Sequence, residues 1–412
     1  MTTPHAQSAH RAPTTRPRRH SRMGRHHYAQ LARRLTPRDR WLIRMLHEHQ
    51  VLTSTDVHTM AFPSARSARQ RLLELHDWDI VDRFQPLLRS GSAPMHYVLG
   101  AAGAAVLAAE EGISLRELGY RRDDVLAIAH RHTLAHTIAI NGQFTHLIAA
   151  SRHSTAARLA AWWSEQRCNR HIGDLVRPDA YGRIHLTAHA AHTPHAAHGA
   201  VAAASGTSAS EQSFEWFLEL DFGTESLPRL AAKLDSYSHL AAALPTRTVT
   251  TSGGNPDAVT ILIWLPGRRR EAHAREHLTH ALRGLDQPHQ IRIATASPSP
   301  STEQLDGNGT GDGHAPSTVP AQDEHIWQPL DSLHPARQAA GEHRSSMSEL
   351  ARRWAAPRAS FHEFIESIPT RTSRTVQLEA PDPLPPDPAT FNPAVTHRVR
   401  WPSSTPVRRT PT

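Results

Sequence analysis

Phe62-Pro63-Ser64-Ala65-Arg66-Ser67-Ala68-Arg69-Gln70-Arg71-Leu72-Leu73 stops one helix and starts another. Proline lacks the amide proton and the room to continue a helix, and Ser64 offers a side-chain oxygen to the first turn of the next one. Upstream, Thr53 caps a short helix through Val57, Met60 and Phe62. Before it, Thr36-Pro37 opens a helix in which Trp41, Leu42, Met45 and Leu46 recur at helical spacing. Downstream come Ile80-Val81-Asp82-Arg83-Phe84, a Pro/Ser/Gly loop from Gln85 to Pro94, and His96-Tyr97-Val98-Leu99. Three helices, a strand, a loop and a strand, closed by a small helix from Ala101 to Glu110, give residues 35–112 the pattern of a winged helix-turn-helix. In that frame the third helix enters the major groove of double-stranded DNA with Arg66, Arg69, Gln70 and Arg71 as contacts. Arg83 and Arg89 lie on the wing near phosphates.

The chain around this module is poor in core-forming residues. Of 412 residues 38% are apolar, and 31 are proline, so only part of the length is expected to fold. Residues 1–34 hold eight arginines, no acid and no helical period, and read as a disordered basic arm. Residues 297–412 read as a mostly disordered tail, broken by Ile326-Trp327 and an amphipathic stretch from Met347 to Trp354. Trimming residues 1–34 and 300–412 should leave the thermal transition nearly unchanged. A net charge of +8 before any of the 32 histidines is counted favours a polyanionic partner. A single cysteine, Cys168, excludes an intrachain disulfide or a cysteine zinc cluster. No signal segment opens the chain, and the longest uncharged stretch, Tyr97 to Ala109, is too short to span a membrane, so the expected location is cytoplasmic.

Residues 123–296 alternate differently. A helix from Asp123 to Ala150 is expected first, then an apolar run from Ala157 to Trp163 that fits a strand or a helix. A turn ending in Arg177-Pro178-Asp179 and a strand near Ile184 follow. Histidines 185, 189, 192, 195 and 198 fall at spacings of three and four that suit zinc on a helix, but they alternate with alanine into a low-complexity insertion, 189–210, that reads as unstructured. Beyond it come a strand (Phe214 to Asp221), a helix (Glu225 to Leu240), a strand (Val259 to Leu265), a helix (Arg269 to Leu285) and a strand (Gln290 to Ala296). This is the order of a mixed-sheet α/β domain, and the whole chain is therefore of α+β multidomain class. The pair Trp162 and Trp163 is expected to divide, core on one side and surface on the other.

Candidate chemistry gathers in this second region. Of the 46 basic residues, 45 are arginine, and Lys233 is the sole lysine. Arginine serves equally for solubility or phosphate contact, whereas a compact ammonium of tunable pKa is hard to replace at a reacting centre. Asp179, Glu219 and Asp221 stand at strand ends, the last two on one face by the period-two rule. Such oxygens suit Mg²⁺ or Mn²⁺, with Glu165 as a further ligand and Lys233 offsetting charge on a phosphate.

Three blocks carry a family resemblance. Leu35-Thr36-Pro37-Arg38-Asp39-Arg40, the wing Gly91-Ser92-Ala93-Pro94-Met95-His96-Tyr97-Val98-Leu99-Gly100, and Phe217-Leu218-Glu219-Leu220-Asp221-Phe222-Gly223 continuing to Lys233-Leu234-Asp235-Ser236-Tyr237 resemble the replication-relaxation family. The resemblance implies a role in plasmid replication or mobilisation, with plasmid replication or transfer proteins as partners. It also implies a PD-(D/E)xK, restriction-endonuclease-like core in which Asp179 and Glu219 hold the metal and Lys233 is carried on a helix. Asp221 stands where that nuclease motif has its lysine. Tyr237, one helical turn after Lys233, is either a relaxase nucleophile or a core aromatic. Two functions stay open: a metal-dependent DNA-nicking relaxase, and a non-catalytic winged-helix regulator of replication or transcription.

Overall fold

The computed structural model describes residues 25–87, 91–152, 154, 156–187, 212–244, 258–298, 325–330, 344–356, 360–367 and 375–386. They form two compact units, one built mainly on the chain up to Leu134 and the other on Ala135–Thr372. Among the described residues no helix is long and apolar enough to cross a membrane. Arg89 and the histidine-bearing insertion 189–210 lie outside the described residues.

The first unit contains α1 (Arg25–Arg34), α2 (Pro37–His49), β1 (Leu52–Thr53), α3 (Ser54–Ala61), α4 (Ala65–Asp77), β2 (Val81–Phe84), β3 (His96–Leu99), α5 (Ala101–Glu110), α6 (Leu115–Leu118) and α7 (Arg122–Leu126). Local chemistry sets each start. Thr36 and Thr53 form reciprocal capping boxes with Asp39 and Asp56, and Ser64 accepts from the Ser67 amide directly after Pro63. Leu42, Met45, Leu46, Val57, Met60, Leu72 and Leu75 are buried, so α2, α3 and α4 share one core. The strands pair antiparallel in the order β1-β3-β2, with Val81 opposite Leu99 and Leu52 opposite Tyr97. Residues 375–381 join this unit, the Val376 amide donating to the Glu117 carbonyl at 2.7 Å.

The second unit contains α8 (Leu134–Ser151), β4 (Ala157–Ser164), α9 (Glu165–Ile172), β5 (Ala180–Leu186), β6 (Gln212–Leu220), α10 (Leu227–Ala243), β7 (Val259–Trp264), α11 (Arg268–Gly284), β8 (Ile291–Ala296), β9 (Gln328–Pro329), α12 (Met347–Trp354) and α13 (Ser360–Ser367). Its sheet runs β4-β5-β6-β7-β8-β9. The first three strands form an antiparallel meander, and β6, β7 and β8 are parallel through the α10 and α11 crossovers. One face stacks Trp162 and Trp216 on Phe144 of α8, at ring separations of 5.0 and 6.1 Å. The other packs Trp163 and Phe217 around Tyr181, with Tyr237 of α10 and Phe361 of α13 against Phe217.

Several expectations change. Residues 25–34 of the basic arm are helical, with Leu31 and Ala32 buried. The long helix from Asp123 is broken between His130 and Leu134, and Ala157–Ser164 is a strand. Where a turn was expected, Ser164 caps α9 by accepting from the Arg167 amide. Trp163 is buried because both faces of the sheet are covered. The tail also contributes: Ile326, Trp327, Met347, Leu350, Phe361 and Ile365 are core residues. A few well-placed apolar side chains suffice there because Arg344 joins them, its guanidinium 2.8 Å from the buried Glu271 carboxylate on α11.

Candidate functional site

The first unit presents α4. Ala68, Leu72 and Leu75 face inward, and Arg66, Arg69 and Gln70 are exposed. Arg71 is different. Its Nε and Nη2 meet the two oxygens of buried Asp39 at 3.0 and 2.5 Å, its Nη1 meets Glu74 at 2.6 Å, and its guanidinium covers the Trp78 ring at 5.0 Å. Hydrogen bonding to Asp39 raises the Arg71 pKa above its ordinary value. This arginine therefore ties α4 to the N-terminus of α2, where the sequence placed it among DNA contacts. Arg83 on β2 is half-buried opposite Tyr97, whose phenol burial pushes above its ordinary pKa against the pull of the Arg83 charge.

In the second unit the acidic residues converge at the end of β6. Asp179, just before β5, donates its amide to the Leu218 carbonyl, and its Oδ2 accepts the Leu220 amide at 2.7 Å. His136, in the first turn of α8, places Nε2 at 3.0 Å from the Leu220 carbonyl and 3.3 Å from Asp179 Oδ2. Burial opposes a charged imidazole, but the Asp179 carboxylate and that carbonyl outweigh it, and the His136 pKa lies above its usual value.

Glu219, only 2% exposed, receives both helix-borne donors of α10. Lys233 Nζ meets Oε2 at 2.8 Å, and the Tyr237 hydroxyl donates to Oε1 at 2.6 Å. The four-residue spacing puts the two donors on one helical face. Burial, then the Asp179 carboxylate, pushes the Glu219 carboxyl up to about 7, against the pull of Lys233 and Tyr237. For Lys233, burial is outweighed by Glu219, Asp179 and Glu225, so its pKa is raised. Glu165 at the start of α9 is raised by burial and by Asp179, and it feels the Lys233 charge.

Asp221 takes no part in this group. Its amide continues the ladder to the Trp264 carbonyl, and its carboxylate accepts from Arg270 Nε at 2.5 Å and from the Gly223 amide at 2.7 Å. Past the last residue of β6 the strand alternation no longer fixes where a side chain goes.

This arrangement defines what the cluster can do. Both Glu219 oxygens are engaged by donors, and among the described residues no group of three His, Cys, Asp or Glu side chains is placed to hold a metal ion. As arranged, the donor set does not fit Mg²⁺ or Mn²⁺. Tyr237 is 0% exposed, and burial holds its phenol well above the ordinary pKa, which suits a core hydrogen-bond donor better than a nucleophile. Lys233 remains half-buried, a cation able to meet an incoming phosphate. His136 had no signal in the sequence, since nothing in its spacing links it to Asp179.

Residues 43–253, just over half of the chain, match the family model described as replication-relaxation. No curated protein and no solved structure matches the chain.

Proposed function

Because the chain belongs to the replication-relaxation family, we propose that it is a DNA-binding protein acting in plasmid replication or mobilisation, alongside other replication or transfer proteins. The first unit is read as a winged helix-turn-helix, with α3 and α4 as the helix-turn-helix and β2–β3 as the wing. The observation that carries this reading is the exposed basic face of α4, Arg66, Arg69 and Gln70, immediately after the Pro63-Ser64 turn. A mobility-shift titration of the full chain on duplex DNA tests it. Binding should weaken steadily between about 50 and 200 mM salt, as released counterions require. Salt-insensitive binding, or none, refutes it.

A second reading is favoured by one observation, the convergence of Asp179, Glu219 and Lys233 at the end of β6. The order α8, antiparallel β4–β5–β6 with α9 between the first two strands, α10 and parallel β7 supports a PD-(D/E)xK-like core. In this reading the protein is a divalent-metal-dependent nickase, and Lys233 and Tyr237 must release Glu219 for it to act. Incubation with supercoiled DNA, with and without Mg²⁺ or Mn²⁺, separates the two. Open circles formed only with metal, and lost in Lys233→Arg, support nicking. Supercoiled substrate that stays intact leaves the second unit as the non-catalytic scaffold of a DNA-binding regulator.

A further inference from the structure

We propose that α4 reads A·T base pairs in the major groove, Gln70 bonding the adenine edge and Leu73 packing on a thymine methyl. The inference rests on the DNA-binding reading above and deepens it. Arg66, Arg69, Gln70 and Leu73 follow one another at i, i+3, i+4 and i+7, which on an α-helix is a single stripe. The opposite face is fixed by buried Ala68, Leu72 and Leu75, so this stripe points away from the core. Arg71 belongs to neither face, because Asp39 and Glu74 hold it.

Leu73 is 47% exposed. A lone exposed leucine is ordinary. This one continues a stripe of two arginines and a glutamine, and its surroundings match one particular surface. The major-groove edge of adenine offers an acceptor at N7 and a donor at N6, which a glutamine amide meets with both of its ends. The thymine methyl is the apolar group on that edge, and an apolar side chain one turn further along the helix meets the same or the next base pair. The Arg66 and Arg69 guanidiniums bring the charge complementarity that a phosphate-lined groove requires. The stripe ends in an acid, Asp77, one turn beyond Leu73 at the last position of α4.

Selection of the full-length protein against a pool of random-sequence duplexes tests the proposal. The enriched sequences should contain adjacent A·T pairs. Replacing thymine by uracil in an enriched duplex removes only the methyl group, and should weaken the parent protein about fourfold, the worth of one buried methyl. The same replacement should leave Leu73→Ala unaffected. Gln70→Ala should lose about tenfold on the enriched duplex and little on a G·C-rich one, whereas Arg66→Ala should weaken every duplex alike. Because Leu73 and Gln70 are exposed, both variants should melt with the parent. G·C-rich enrichment overturns the A·T assignment, and uracil sensitivity that survives in Leu73→Ala, or is missing from the parent, overturns the Leu73–methyl contact; both leave DNA binding standing. Failure to bind any duplex overturns both.

Discussion

At Glu219 a carboxylate is stripped of water and handed to one ammonium and one phenol. Removing the ammonium should be costly in a pH-dependent way. Lys233→Met leaves a buried charged acceptor short of its partner, a loss of about 1–3 kcal/mol. Glu219 already titrates above its unfolded value, so the folded protein holds more protons than the unfolded chain between about pH 4.5 and 7. That group's contribution to stability falls as pH rises through this window. Without Lys233 the Glu219 carboxyl should rise further, and the deficit of the variant against the parent should widen from pH 5 to pH 8. Thermal melts across that range check it, and a constant deficit would contradict it. Arginine 71 offers a parallel test. Arg71→Ala strands buried Asp39 and should cost about 3–5 kcal/mol, whereas Arg66→Ala should shift stability by no more than about 0.5 kcal/mol. Lys233 was legible from a count, as the one lysine among 46 basic residues. The inward turn of Arg71 was not, because its partner Asp39 lies 32 positions away and doubles as a helix cap.

Elements with strong local chemistry were the ones readable in advance. The helices α2, α3 and α4 declare themselves through Thr36, Thr53 and Ser64, and β6 and β7 through their apolar runs. Helix α9 escaped because only Cys168 and Ile172 supply its apolar face, too few for a period to show. The β4–β5–β6 meander depends on a contact that sequence patterning does not expose. Gly182 on β5 lies directly opposite Trp216, whose indole ring fills the space a Cβ would need. Gly182→Ala should destabilise the second unit by about 1–3 kcal/mol through overpacking. Trp216→Phe in the same chain should recover part of that loss. A double variant no more stable than Gly182→Ala alone would mean that the ring is not what limits the site.

The second unit reaches well past residue 253, where the family match ends: β7, α11, β8, β9, α12 and α13 all follow. Deleting residues 300–412 should therefore lower its melting temperature substantially, against the expectation from composition, because Arg344 then abandons Glu271. Burial works against the Glu271 charge, but Arg344, Ser297 and Thr295 outweigh it and hold its pKa below the ordinary value. The stability it contributes is full above about pH 4.5 and is lost as pH falls through the folded value. Arg344→Ala should accordingly be most destabilising near neutral pH and converge on the parent in acid, as parallel melts would record. The tail was illegible as structure because its core residues are scattered among prolines and polar residues, and only their meeting with β6 and β8 gives them a role. That meeting has a consequence in time. Ser213 at the start of β6 exchanges both backbone hydrogen bonds with Ala356, 143 residues later. At about 5–20 residues per second a ribosome needs roughly 7–30 s to cover that interval. Throughout it the Tyr181–Phe217 side of the nascent sheet lacks Phe361, so dependence on chaperones should be greatest while residues 213–356 are being made.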